Sequence, residues 1–76
     1  MPDVELAKLL IERYKGDRER YQETLRILNE GWRHFDYKPF DGLLEVTEDY
    51  RKSTLASIAR LENLIARYES DLKGVT

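Results

Sequence analysis

The feature that most constrains this chain is a set of apolar side chains in its first half, spaced alternately three and four residues apart. This spacing places them on one stripe of a helix that packs at a shallow angle against another helix. Arg18 is the single charged residue in the stripe. The pattern therefore predicts one helix from about residue 3 to 35, with its buried stripe formed by Val4, Ala7, Ile11, Tyr14, Arg18, Tyr21, Leu25, Leu28, Trp32 and Phe35.

Gly16 and Asp17 leave an alternative open within this helix. Glycine is common just after a helix end and aspartate is a frequent N-cap, so the pair could end one helix and begin another. A break there would produce a monomeric three-helix bundle. Because the three-four spacing passes through Gly16 without a change of phase, the sequence favours the continuous helix.

A second stripe follows in the other half of the chain and predicts a helix from about residue 40 to 72. No part of the chain alternates polar and apolar residues clearly enough to predict a strand. The stripe consists of Leu43, Val46, Tyr50, Thr54, Ile58, Leu61, Ile65, Tyr68 and Leu72.

The two stripes predict an all-α fold, with residues 1–76 forming a single helical domain. Two long helices joined by a short loop must lie antiparallel, as a helical hairpin. If Phe35 faces Leu43, this register places Leu28 opposite Tyr50, and Tyr14 opposite Ile65.

More apolar residues are present than a two-helix hairpin can cover. A second copy could cover them by forming a four-helix bundle, so we expect a homodimer. One face of the second helix is also lined by small residues, which would allow another helix to approach closely. The candidate dimer interface comprises Leu6, Leu9, Leu10, Ile27, Leu55, Ala56, Ala59, Asn63, Leu64 and Ala66.

The segment between the stripes, GWRHFDYKPFDG at residues 31–42, contains half of the aromatic residues of the chain. We expect Trp32 and Phe35 to be buried as a continuation of the first helix, so that Trp32→Ala would cost several kcal/mol. Phe40 should fold back over them and close the turn. The exposed residues of this segment are then the candidates for binding a partner: Arg33, His34, Tyr37 and Lys38.

Composition restricts the chemistry available to the chain. There is no cysteine, and 13 basic residues are nearly balanced by 15 acidic ones, for a net charge of −2. The lone histidine, with Glu30 and Asp36 nearby, lacks the further ligands of a typical metal centre. No nucleophile–base pair and no glycine-rich phosphate loop are evident. We therefore expect no enzyme activity, metal or cofactor.

The same features predict where the chain acts and what it contacts. No apolar run approaches the length of a membrane span, and no signal pattern opens the sequence, so a soluble cytoplasmic protein is expected. Charge balance argues against autonomous binding of nucleic acid. We expect a non-catalytic protein–protein interaction module: an adaptor, regulator, inhibitor or small subunit of an assembly.

A nucleic-acid-associated regulator is the alternative function. It would use a partly basic flank of the first helix, which acidic residues interrupt. The flank is formed by Arg13, Arg20, Arg26, Arg33 and His34.

Overall fold

The structure, a computed structural model, describes residues 3–75 and contains two long helices with a β-hairpin between them. Helix α1 spans Val4–Asn29, strand β1 Phe35–Lys38, strand β2 Gly42–Glu45, and helix α2 Thr47–Val75. The two predicted helices are confirmed, whereas the expectation of an all-α chain without strands is wrong. Both helices are shorter at the tip than expected, because residues 35–45 form a two-stranded sheet.

Helix α1 is continuous through Gly16, so the three-helix alternative is wrong. Asp3 caps the start of the helix, and its carboxylate accepts a hydrogen bond from the backbone N–H of Leu6 at 3.1 Å. This bond satisfies one of the free N–H groups of the first turn. At Gly16 no atom lies within 4 Å of where a Cβ would stand, so the glycine is accommodated inside the helix.

Helix α1 ends at Asn29, six residues before the predicted end at about Phe35, and its end is a Schellman turn centred on Gly31. Gly31 has φ +108°, a left-handed conformation that glycine adopts without strain. Its N–H donates to the carbonyl of Leu28 at 3.1 Å, and the N–H of Trp32 donates to the carbonyl of Ile27 at 3.4 Å. Trp32 therefore leaves the helix axis instead of extending the buried stripe.

The β-hairpin turns through Pro39, Phe40 and Asp41. The N–H of Asp41 donates to the carbonyl of Lys38 at 3.2 Å, and Gly42 has φ +76°. A three-residue loop followed by a left-handed glycine is a common hairpin turn. The antiparallel register pairs Phe35 with Glu45, Asp36 with Leu44, Tyr37 with Leu43, and Lys38 with Gly42.

The helices pack along the predicted stripes, and these form a thin core. Buried apolar residues come from both helices, and Thr54 is buried with its hydroxyl donating to the carbonyl of Tyr50 at 2.8 Å. The rings of Tyr14 and Tyr68 lie 6.0 Å apart, so Tyr14 is offset by about one turn from the predicted partner Ile65. The buried apolar residues are Ala7, Ile11, Leu28, Ile58, Leu61 and Ile65.

Candidate interaction surface

The β-hairpin lies at one end of the helix pair and extends beyond it. A helix of 29 residues is about 43 Å long, whereas the longest dimension of the molecule is 55 Å. The two strands pair with each other, and no other strand is present among residues 3–75. A two-stranded sheet without a packing partner is at best marginally stable in water, so this element is the part of the described structure that most needs a partner.

Contacts at the base of the hairpin hold it to the start of α2. The N–H of His34 donates to the hydroxyl of Thr47 at 3.0 Å, and the N–H of Val46 donates to the carbonyl of His34 at 2.8 Å. The imidazole of His34 stacks on the ring of Tyr50, with centroids 4.3 Å apart. His34 is half-buried and therefore anchors the hairpin to α2.

The pleat of the hairpin separates its side chains onto two faces. Phe35 and Tyr37 of β1 share a face with Leu43 and Glu45 of β2, since alternate residues of a strand point to the same side and paired residues do too. The opposite face has Asp36, Lys38 and Leu44. One face is thus mainly aromatic and apolar, and the other is largely charged.

The aromatic face and the turn are uncovered in the single chain. Phe40 at the turn is 100% exposed, Tyr37 72%, Leu43 69% and Trp32 68%, and Phe35 is also exposed. The expectations that Trp32 and Phe35 are buried and that Phe40 closes over them are therefore wrong. Because α1 ends at Asn29, these residues project from the hairpin and its connection instead of from the buried side of a helix.

An open cleft of about 390 Å³ lies where the hairpin joins the helices. Arg51 crosses it, pairing with Glu48 and donating to the carbonyl of Leu28 at 3.3 Å, near the end of α1. Across the cleft, Arg33 lies 3.4 Å from the carboxylate of Glu45. The two arginines of the cleft are thus matched by two carboxylates, so the cleft has no excess charge that would select an ion. Its ion pairs connect the hairpin and the helices.

The four predicted partner-binding residues lie on or beside β1, but in different environments. Tyr37 and Lys38 are exposed on opposite faces of the strand. Arg33 is exposed and paired with Glu45, and His34 is half-buried against Tyr50. The hairpin brings these residues together with Phe35, Phe40 and Leu43, which the sequence reasoning did not include as binding residues.

The predicted dimer-interface residues all remain partly or fully accessible on the helices of the single chain. Leu6, Leu9 and Leu55 are exposed, and Leu10 is half-buried beside a shallow groove between the two chain ends. Of the other predicted interface residues, Ile27 and Leu64 are half-buried. The exposed ones are Ala56, Ala59, Asn63 and Ala66.

Several arginines of the predicted basic flank are paired with acidic residues. Arg26 binds both Glu23 and Glu30, and Arg20 lies 3.8 Å from Asp17. The hydrogen bond from Arg26 holds the pKa of the Glu23 carboxyl below its usual value, while the carboxylates raise the pKa of Arg26. These arginines lie in mixed-sign clusters along the helix.

Between residues 3 and 75, no three His, Asp or Glu side chains come together as they would around a metal ion. Neither helix has a stretch apolar enough to traverse a bilayer over its described length. Comparison with protein-family models, with curated protein sequences and with solved structures gave no match for this chain.

Proposed function

We propose that this chain is a non-catalytic protein–protein interaction module whose contact surface is the β-hairpin. The observation that carries the proposal is the aromatic face of the hairpin, which has Phe35, Tyr37 and Leu43 side by side and Phe40 at the turn, all exposed. Tyrosine and phenylalanine are enriched at protein interfaces, where they supply a large contact area. The hairpin would act as the binding end of an adaptor, regulator, inhibitor or small assembly subunit in the cytoplasm.

The geometry of the base supports this role because it positions the hairpin. The His34–Tyr50 stack and the bond from His34 to Thr47 fix the strands relative to α2. A surface held in one orientation loses less entropy on binding than a free loop does. The long helices would then serve as the support that presents this surface.

We also propose that the helices associate with those of a second copy in a four-helix bundle. Leu6, Leu9 and Leu55 support this proposal, since they are exposed in the part of the single chain that the structure describes. The row of small residues on α2 would allow close packing of backbones.

Photo-crosslinking in the cells that produce the protein tests the hairpin as the contact surface. Tyr37 is replaced by a benzophenone-containing phenylalanine, and exposed Glu12 on α1 is replaced in a matched control. We expect irradiation to link position 37, but not position 12, to a protein identified by mass spectrometry. If neither position yields an adduct, or if both yield the same ones, the hairpin is not a specific contact surface.

A further inference from the structure

The open edge of β1 exposes a defined set of backbone groups. In an antiparallel pair, residues alternate between those bonded to the neighbouring strand and those directed away from it. The hydrogen bond from the N–H of Val46 to the carbonyl of His34 shows that the backbone groups of His34 are directed toward β2. By alternation, the backbone groups of Asp36 and Lys38 are also directed toward β2. The N–H and carbonyl groups of Phe35 and Tyr37 are therefore directed to the open edge, where another strand can bind them.

A second copy of β1 can pair with this edge in only a few symmetric registers. Two identical antiparallel strands are related by a two-fold axis perpendicular to the sheet, so residues of the same face must lie opposite each other. If Asp36 lay on the axis, its carboxylate would contact the Asp36 carboxylate of the second copy. If Lys38 lay on the axis, the two Lys38 ammonium groups would be in contact. Like charges directly opposite each other destabilise a sheet.

The register with Tyr37 on the axis avoids both conflicts. It places Asp36 opposite Lys38 of the second copy, and by symmetry the same pair forms again on the other side of the axis. These are the closely spaced, non-hydrogen-bonded positions, where opposite charges interact best. The imidazole of His34 lies on the same charged face, with its Nε2 3.7 Å from the carboxylate of Asp36. The imidazole adds no negative charge to that face.

The hydrogen-bonding phase permits Phe35 or Tyr37 on the axis, and only Tyr37 leaves residues 36–38 paired within β1, because an axis at Phe35 places them opposite residues that precede the strand. The outward N–H and carbonyl groups of Tyr37 would bond to those of Tyr37 in the second copy. The two tyrosine rings would lie side by side, continuing the aromatic face across the axis. Strand β2 offers no such match, because its one charged residue, Glu45, has no oppositely charged residue on the strand to pair with in a second copy.

We infer that the partner of the hairpin is a second copy of this chain, bound by antiparallel pairing of β1 with β1 and with Tyr37 on the two-fold axis. The inference rests on the proposed function, since it names the occupant of the proposed contact surface. The paired hairpins form a continuous four-stranded sheet, in which both β1 strands have become central.

Single cysteines test the register, because the chain has none of its own. In Tyr37→Cys the two Cα atoms would be about 5.5 Å apart, within the range for a disulfide. In the matched control Phe35→Cys, on the same face, they would be about 14 Å apart. We expect mild oxidation of the purified full chain to link Tyr37→Cys but not Phe35→Cys. Equal linkage of both, or linkage of Asp36→Cys in preference to Tyr37→Cys, overturns the inference.

Charge reversal tests the same contact without a covalent bond. Asp36→Lys and Lys38→Asp each place like charges opposite each other twice, so each should weaken hairpin pairing about tenfold. The double variant restores both pairs and should return to within about threefold of the original affinity. The matched control Glu62→Lys makes the same charge change on the exposed surface of α2. Additive weakening in the double variant contradicts the pairing.

The two proposals can fail separately. If Tyr37→Cys remains unlinked while the photo-crosslinker at position 37 captures a different protein, the hairpin is an interaction surface and the second copy is not its occupant. If position 37 captures only further copies of this chain and Tyr37→Cys links, both proposals hold. If neither experiment yields a product, both are wrong.

Discussion

At the scale of single residues, Leu28 and Trp32 show how strongly local conformation decides burial. Both belong to the same sequence stripe, four residues apart, yet Leu28 is 5% exposed and Trp32 is mostly exposed. The left-handed Gly31 lies between them and turns the chain away from the helix axis. The larger side chain therefore contributes less to the core than the smaller one.

Leu28→Ala should destabilise the fold more than Trp32→Ala. Removing the buried leucine leaves a cavity and should lower the free energy of unfolding by about 2–3 kcal/mol. Trp32→Ala removes an exposed ring and should change it by less than about 1 kcal/mol. Urea denaturation of both variants measures the two values. The reverse order would mean that Trp32 is covered in the folded protein.

Arg18 is the residue of the buried stripe whose replacement should stabilise the protein. Its Nε is buried without a hydrogen-bond partner, and a buried unpaired donor costs about 1–3 kcal/mol. Arg18→Met keeps the aliphatic length without the donor, so the melting temperature should rise by about 4–8 °C per kcal/mol recovered. Exposed Arg13→Met is the control and should have little effect. A lower melting temperature for Arg18→Met would show that the rest of the guanidinium contributes more than the buried Nε costs.

At the scale of secondary-structure elements, the hairpin and the helices depend on different interactions. Long amphipathic helices are stabilised by burial of one stripe against a neighbour. The hairpin has only four residues in each strand and a short turn, so it depends on turn geometry and on the bonds at its base. Its stability should therefore be separable from that of the helices.

Gly42→Ala should weaken the hairpin and leave the helices intact. At φ +76° a side chain adds strain of about 1–2 kcal/mol. Because Gly42 belongs to the hairpin, this strain destabilises the hairpin and not the helices. We expect faster amide hydrogen exchange in β1 and β2 with an unchanged helical circular dichroism signal.

Gly16→Ala is the matched control for this variant, because the same substitution inside α1 meets no neighbouring atom. It should raise the stability of the helix by up to about 1 kcal/mol. Slow exchange throughout the hairpin of Gly42→Ala would mean that the turn tolerates a side chain.

At the scale of the whole molecule, the core is too thin to account for all the apolar residues of the helices. Within residues 3–74, no large side chain is fully removed from solvent, and several leucines are exposed. Two packed helices form a single seam, and a chain of this size buries only about 60% of its unfolded surface. Self-association would supply the burial that one chain lacks.

Leu9→Glu should therefore reduce the association of the helices. Leu9 is exposed on α1, and a carboxylate there would be buried by a second copy at a high energetic cost. We expect sedimentation at tens of micromolar to show self-association for the unmodified chain and a lower mass for Leu9→Glu, with Arg13→Glu as the control for added charge. An unmodified chain that sediments as a single copy at this concentration would contradict the proposed bundle.

The sequence by itself determined the two helices, their antiparallel arrangement and most of the buried stripe, although Tyr21 within the predicted stripe is exposed. A three-four spacing repeated over many turns is a redundant local signal, so a single exception such as Gly16 does not alter it. The capping signal of Gly31 and the turn signal of Pro39 with Gly42 were also present, and would have predicted both the early end of α1 and the hairpin.

Only the tertiary structure decided which side chains of the tip are covered. Phe35 has the same helical spacing whether it ends a helix or begins a strand. The choice depends on its pairing with β2, about ten residues away along the chain, and on the anchoring of His34 to Tyr50 and Thr47. Burial follows from such nonlocal contacts, and within the described residues Tyr37 and Leu43 on the hairpin's aromatic face remain exposed.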